Sequence, residues 1–439
     1  MTSKAQIIKC TAREILDSRG NPTVEASVVL SDGSIGVASV PSGASTGIYE
    51  AVEKRDGDAR RFGGKGVLTA VGGICRVIST ALVGVYASEQ SEIDRILIEI
   101  DGTKNKEKLG ANAILAVSMA AARAAANSYK IPLYKYIGGV SAVRLPVPMM
   151  NILNGGAHAS NNIDIQEFMI CPTNAPSFSD ALRMGSEIYH TLGRILKSEG
   201  KSVSVGDEGG FAPNLESDSA AIEYIIRAIN EAGYSTDDVQ IALDVAASEW
   251  YSVDDDTYHL NKRGESLSRD KVIDYIGSLV EKYPIISVED PLDQRDFEGW
   301  SKITSLLGDK IMLVGDDLFV TNEERVRYGI EHSLANSVLV KPNQIGTVSE
   351  VLDVIKVAKN SEYRCIMSHR SGETEDTTIA DLAVGFGTEF IKAGAPCRSD
   401  RVAKYNRLLR IESSIGSSAI YGLDAVKSKP LHKTSCCGN

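Results

Sequence analysis

Residues 337 to 347 read S-V-L-V-K-P-N-Q-I-G-T: three apolar residues run straight into Lys341, and the strand signal stops at Pro342. A lysine that closes an apolar strand is half desolvated, and burial lowers its pKa towards the range where it can act as a base. The ordinary reading of such a lysine is a stem that lies along the strand end with its ammonium in water. Five other apolar runs weigh against the ordinary reading, because they end the same way. Q-I-A-L-D-V closes on Asp244, P-I-I-S-V-E-D on Glu289, I-M-L-V-G-D-D on Asp316, R-C-I-M-S-H-R on His369 and Arg370, and T-E-F-I-K on Lys392.

These charged ends recur at intervals of 45, 27, 25, 28 and 23 residues, near the roughly 30 residues of one strand-helix unit. Continuous apolar runs indicate strands buried on both faces, as in parallel sheets. Helical patterns lie between them, such as Arg269 to Tyr283 and Val348 to Asn360, the second opened by a capping box from Thr347 to Glu350. A parallel strand-helix series with its charged residues at strand C-termini is the anatomy of a (β/α)₈ barrel active site. Lys341 is therefore expected to face three carboxylates across one mouth.

A barrel of about 250 residues leaves room for a second domain in a chain of 439. The expected class is α/β, with an N-terminal α+β domain over 1–140, a barrel domain over 141–427 and a flexible tail over 428–439. The net charge of −11 and the lack of a basic patch with interleaved aromatics argue against general affinity for nucleic acid or anionic membrane. The longest alanine-rich stretch, Ala113 to Ala122, is about half the length of a membrane span and reads as a buried helix. Seven cysteines without metal spacing, and an N-terminus lacking a signal-peptide apolar region, fit a cytoplasmic location.

Along the chain, Ile8 to Val40 alternates in β fashion with a break at Gly20-Asn21-Pro22, and helical periodicity fills most of Gly66 to Lys130. Between them, P-S-G-A-S-T-G-I-Y-E-A has the composition of a mobile lid over 41–48 whose Ser42 hydroxyl could reach a ligand; an ordinary Ser/Gly connection has the same composition. His158 follows G-G-A, I-D-I-Q-E-F-M-I places Gln166 and Glu167 on a strand, and V-G-D-E-G-G-F sets Asp207 and Glu208 against glycines that let backbone approach a ligand. Each of these has a structural reading too: a histidine beside glycines, a satisfied strand carboxylate, a solvated acidic loop.

Seven strings in order, S-G-A-S-T-G, G-D-E-G-G-F-A-P-N, S-V-E-D-P, G-D-D-L-F-V-T-N, V-K-P-N-Q-I-G-T, S-H-R-S-G-E-T-E-D and G-A-P-C-R-S-D-R-V-A-K-Y-N, resemble the enolase family across nearly the whole chain, and N-N-I-D-I-Q-E-F-M-I resembles its bacterial members. The resemblance implies a ββαα(βα)₆ barrel and the reversible dehydration of 2-phosphoglycerate to phosphoenolpyruvate. It implies two Mg²⁺ ions, the first on Asp244, Glu289 and Asp316 and the second bound with substrate and helped by Ser42. It also implies Lys341 as base and Glu208 as acid with Glu167 and His158 beside them, and Arg370 and Ser371 on the phosphate next to His369. Lys392 and Gln166 are placed near the substrate carboxylate and metal. A homo-oligomer, dimer or octamer, is implied as well. Ser160, Val245 and Ala393 depart from the family's usual residues, and only Ser160, near His158, bears on affinity.

The chemistry gives these residue types a reason. Removing a proton beside a carboxylate builds a second negative charge, which hard divalent ions on oxygen ligands suit. The base must be neutral, a state that burial and positive neighbours should favour at Lys341, and the acid must be protonated, which Asp207 and Glu167 should favour at Glu208. A guanidinium beside a hydroxyl makes a phosphate clamp at Arg370-Ser371. A sibling barrel enzyme acting on an unphosphorylated hydroxy acid would usually carry a Lys-x-Lys base on an earlier barrel strand, and no such strand is found here. A non-catalytic structural relative would not need every one of these groups. The chain ends in Asn439 rather than lysine, which weakens a plasminogen-binding surface role.

Overall fold

The computed structural model describes residues 5–43 and 47–423. The centre of the expected lid, 44–46, and the whole tail 428–439 with Cys436 and Cys437 lie outside the described residues. Strands β1 (Ile7–Leu16), β2 (Pro22–Leu30) and β3 (Ile35–Ser39) form an antiparallel sheet in that order. The break at Gly20-Asn21-Pro22 is a turn closed by Asp17, whose Oδ1 accepts from the Arg19 and Asn21 amides at 2.8 and 2.9 Å. On β2, Val24, Ala26, Val28 and Leu30 alternate inward and pack on a long alanine-rich helix.

Two helices tie this sheet to the barrel, α1 (Gln90–Asp101) and α2 (Ala111–Ser128). The run Ala113 to Ala122 lies wholly inside α2 and is buried throughout. Small residues let the sheet come close: a Cβ on Gly36 would stand 2.1 Å from the Ala120 carbonyl oxygen. On the barrel side, Ser118 Oγ of α2 accepts from the Val348 amide at 3.0 Å, and Asp94 Oδ2 of α1 accepts from the Ser349 amide at 2.9 Å.

Eight strands close the barrel: β4 (Val147–Asn154), β5 (Glu167–Cys171), β6 (Gln240–Asp244), β7 (Ile285–Glu289), β8 (Met312–Gly315), β9 (Ser337–Val340), β10 (Arg364–Ser368) and β11 (Phe390–Lys392). β4 through β6 are joined antiparallel and the rest parallel. Two helices, α3 (Phe178–Ser198) and α4 (Asp218–Glu231), separate β5 from β6. Each later strand is followed by one: α5 (Arg269–Lys282), α6 (Phe297–Leu307), α7 (Glu323–Glu331), α8 (Val348–Asn360), α9 (Thr378–Phe386) and α10 (Ser399–Ile415). This is the ββαα(βα)₆ arrangement, with no free sheet edge in the barrel.

Apolar side chains from alternate positions, among them Met149, Met169, Ala242, Val314, Leu339, Ile366 and Phe390, fill the barrel interior below the mouth. Burying a side chain the size of Phe390 is worth about 1.5–3 kcal/mol, so the floor is rigid and the polar end is held on a packed plug. Helix starts follow local sequence: Thr347 Oγ1 accepts from the Glu350 amide at 3.2 Å and caps α8, while its hydroxyl donates to Glu350 Oε2 at 2.7 Å, so that Glu350 meets the cap side chain. No helix of the described residues is long and apolar enough to cross a membrane.

Candidate active site

Strand ends bring the charged residues to one mouth. Asp244, Glu289 and Lys392 are the last residues of β6, β7 and β11, while Asp316, Lys341 and His369 follow β8, β9 and β10 directly. β5 runs the opposite way, so its first residue points into the same mouth: Glu167 pairs in register with Asp244 on one side and Asn154 on the other. The strand begins at Glu167, so Gln166, expected on the strand with it, belongs to the preceding loop. Gln166 Nε2 still lies 3.5 Å from Asp244 Oδ2. A shared cavity is lined by all the candidate residues except Ser42 and Glu289, the latter lying beneath Lys392.

One wall is built of carboxylates and ammonium groups. Lys392 Nζ stands 2.9 Å from Asp244, 2.8 Å from Glu289 and 3.3 Å from Glu167. Lys341 Nζ donates to Asp316 Oδ2, whose other oxygen accepts from Gln344 Nε2 at 2.9 Å. The sequence alone predicts a neutral Lys341. In this structure burial is the largest pull and draws its pKa down, but the Asp316 charge together with Glu289 more than offsets it and holds it above the ordinary lysine value. Glu289 is held well above the carboxylate range by burial and by Asp244.

Strained backbone sets these oxygens. Asp290, at φ 41, turns its carboxylate to accept from the amides of Asp316 and Asp317 at 3.0 and 2.8 Å, and Ala246, at φ 48, donates its amide to Asp244 Oδ1 at 3.1 Å. Left-handed residues of this kind cost of order 1–3 kcal/mol each and persist where the surroundings over-determine them.

The other wall is built of glutamates and imidazoles. His158 Nδ1 lies 3.4 Å from Glu167 and 4.0 Å from Glu208, and His369 Nε2 lies 3.5 Å from Glu208. Asn151 Nδ2 donates to Glu208 Oε2 at 3.0 Å. Burial and then the Glu208 charge raise Glu167. Burial would raise Glu208 too, but His369 and His158 hold it well below the usual range. Asp207 does not act on it as expected, since its side chain faces solvent. His158 is lifted to about 9 against burial by Glu208 and Glu167. Burial takes His369 down to about 4 against the pull of Glu208, and the Arg401 guanidinium adds to the fall.

At the rim, Arg370 makes a two-pronged pair with Glu50, at 2.8 and 3.2 Å, and reaches Asn343 Oδ1 at 3.3 Å. Ser371 Oγ accepts from Arg19 Nη1 at 3.4 Å. Ser42 is fully buried, with its hydroxyl on Asp17 Oδ2 at 2.8 Å and its backbone bridged to Gly372. It therefore adjoins the Arg370-Ser371 end of the mouth and not the carboxylates. Ser160 is exposed, outside the cavity lining.

Sequence reasoning misses Glu50, Asn151, Asp290, Gln344 and Arg401, although all but Asn151 sit inside or next to the strings that resemble the family. Their adjacency to Ser42, Glu289, Lys341 and the G-A-P-C-R-S-D-R string is the available signal. For a divalent cation the donor set fits: Asp244, Glu289 and Asp316 offer only carboxylate oxygen, and Glu289 Oε1 is buried with no hydrogen-bond partner. Hard cations such as Mg²⁺ take oxygen ligands of this kind. The tightest acidic groupings of the described residues are His158-Glu167-Glu208 and Asp290-Asp316-Asp317; in the expected triad the two lysines stand among the carboxylates.

Comparison with protein families gives two matches. A model described as "Enolase, C-terminal TIM barrel domain" matches residues 142–429, and one described as "Enolase, N-terminal domain" matches residues 7–137.

Proposed function

The chain belongs to the enolase family, and from that premise we propose that it reversibly dehydrates 2-phosphoglycerate to phosphoenolpyruvate. The observation that carries this is a mouth where a buried lysine, a glutamate pair bridged by histidine and a buried guanidinium beside a serine face one cavity. Arg370 and Ser371 would take the phosphate, with Glu50 giving way to the more highly charged oxygens. Lys392 and Gln166 would orient the carboxylate. Asp244, Glu289 and Asp316 would hold Mg²⁺, and Ser42 would assist a second ion that arrives with substrate. When bound, such ions stabilise the negative charge that builds on the carboxylate.

Lys341 Nζ takes the proton from C2. Its attraction to Asp316 and Glu289 keeps it charged; with those carboxylates engaged elsewhere, burial and the charges of Arg370 and Lys392 favour the free amine. Glu208 is ionised in the resting site, so it first takes a proton from Glu167, whose hold on its proton burial and the Glu208 charge raise; it then gives that proton to the hydroxyl leaving C3, and water departs as the C2–C3 double bond forms. His158, between the two glutamates, would restore the proton that Glu167 gives up. The same reading takes 1–140 as a domain that caps the barrel through 141–427, and supports a cytoplasmic homo-oligomer, dimer or octamer.

The test is absorbance of phosphoenolpyruvate after adding 2-phosphoglycerate and Mg²⁺ to the full chain, beside unphosphorylated hydroxy acids. Turnover of the phosphorylated acid alone is expected. Turnover of an unphosphorylated acid in its place would overturn the reading.

A further inference from the structure

Arg401 is the third residue of α10 and is fully buried. Its Nη1 lies 2.6 Å from His369 Nδ1 and 2.6 Å from the Arg370 carbonyl oxygen. Its Nη2 reaches the carbonyls of Ser371 at 2.6 Å and Asp207 at 3.2 Å. Asp400 Oδ2 stands 2.8 Å from Nε. The route to this position is kept open at Gly394, φ 84, where a Cβ would come within 2.7 Å of Arg401 Cδ.

A guanidinium is always charged and can only donate. The ring nitrogen that faces it must accept, which leaves the imidazole hydrogen on the other nitrogen. That nitrogen, His369 Nε2, is buried, has no hydrogen-bond partner and lies 3.5 Å from Glu208 Oε2. The two carbonyls of residues 370 and 371 belong to the phosphate clamp, and the Asp207 carbonyl belongs to the loop that carries Glu208. One side chain thus connects the anion-binding strand end to the proton-donating loop.

We propose that Arg401 is a positioning residue: it fixes His369 as the tautomer with hydrogen on Nε2, directed at Glu208, and holds the Glu208 loop against the Arg370-Ser371 strand end. The inference rests on the dehydration reading for its catalytic consequence, though not for its geometry. Buried neutral and correctly oriented, His369 presents a donor to Glu208 without competing for its proton. With the opposite tautomer, an acceptor would face the carboxylate and turn it out of line.

Full-length protein carrying ¹⁵N-labelled histidine, with His369→Gln to identify that ring's signals, is expected to show Nδ1 unprotonated and Nε2 protonated near neutral pH. Arg401→Met removes the donor and should lose the fixed assignment. Arg401→Lys retains one donor and should keep the tautomer while releasing the backbone ties. Water loss in Arg401→Met should fall about 10²-fold, the scale of a misplaced catalytic group, while exchange of the C2 proton falls far less. Hydrogen on Nδ1 in the unaltered protein, or unchanged ring signals in a folded Arg401→Met, would overturn the assignment. If Arg401→Met does not fold, the unaltered protein and Arg401→Lys decide it: the Nε2–H tautomer in both supports it, and its loss in either counts against it. The ring signals are read without substrate, so a failure to turn over 2-phosphoglycerate bears on the dehydration reading alone.

Discussion

On the Lys392 side of the mouth three carboxylates are matched by two ammonium groups; on the His369 side two carboxylates are matched by two imidazoles. Both walls are buried, so neither set of charges could stand unpaired. The ammonium wall is a pairing that a harder cation can displace, because the lysines hold their partners by charge and not by a fixed fork. The imidazole wall responds instead to protons, since its pKa values straddle neutrality, with His369 at about 4 and His158 at about 9. On the proposed dehydration reading, the two walls divide the work of one reaction, removal of a proton on one and departure of a hydroxyl on the other.

The largest effect expected breaks that division cleanly. Lys341→Ala should abolish exchange of the C2 proton with solvent, and Glu208→Gln should spare exchange while blocking water loss, each by about 10²- to 10⁴-fold. Exchange followed by NMR in deuterated buffer reads the first, and product absorbance reads the second. Persistent exchange in Lys341→Ala would move the base to another residue.

Next in size is the response of the ammonium wall to Mg²⁺. A ligand held only by the folded state at 100 times its Kd stabilises it by about 2.7 kcal/mol, so Mg²⁺ should raise the melting temperature. In Glu289→Gln the increase should vanish while His158→Gln keeps it. Equal responses in the two variants would mean that the cation does not bind at this wall.

What the sequence made legible, and what it did not, divides along the same walls. Lys341, Asp316 and Lys392 were readable because each ends an apolar run, and strand ends of such a series share one mouth. Their protonation was not, because it depends on which strand ends come nearest: Asp316, 25 positions away in sequence, is the strongest of the carboxylates that together keep the proton on Lys341. Glu208 was readable from its glycines and the resemblance set His158 beside it, but its protonation was misjudged, since Asp207 turns outward while His369 and His158 hold the carboxylate below its usual range. Glu167 entered the site because its strand runs backwards, a feature that the family resemblance implied and the apolar pattern alone did not. Arg401 lies inside the G-A-P-C-R-S-D-R string but drew no reading of its own, because nothing local in sequence shows that its partners are His369 and the carbonyls of three distant residues.

At the rim, Arg370→Lys keeps the charge and removes the fork. Hydrogen bonds to charged groups are worth about 1.5–3 kcal/mol, so KM for 2-phosphoglycerate should rise about 10- to 100-fold with a smaller change in kcat. A fall in kcat at constant KM would place Arg370 in the chemical step and away from anion binding.

The smallest expected effect sharpens the contrast through pH. His158 has a folded pKa near 9 against 6.5 for the free side chain, so the folded protein binds its proton more tightly than the unfolded chain does. Its contribution to stability is complete below pH 6.5 and disappears as pH rises through 9. His369 has the opposite sign: its folded value near 4 lies below 6.5, so stability present above pH 6.5 is lost as pH falls through 4. Urea unfolding of His158→Gln should therefore remove about 1–2 kcal/mol of the decline between pH 6.5 and 9, less than the full shift since the ring keeps some contact with water. The acid-side decline should remain in that variant and flatten in His369→Gln. If both substitutions altered the same limb of the profile, the two imidazoles would share one proton, and the glutamate wall would titrate as a single unit.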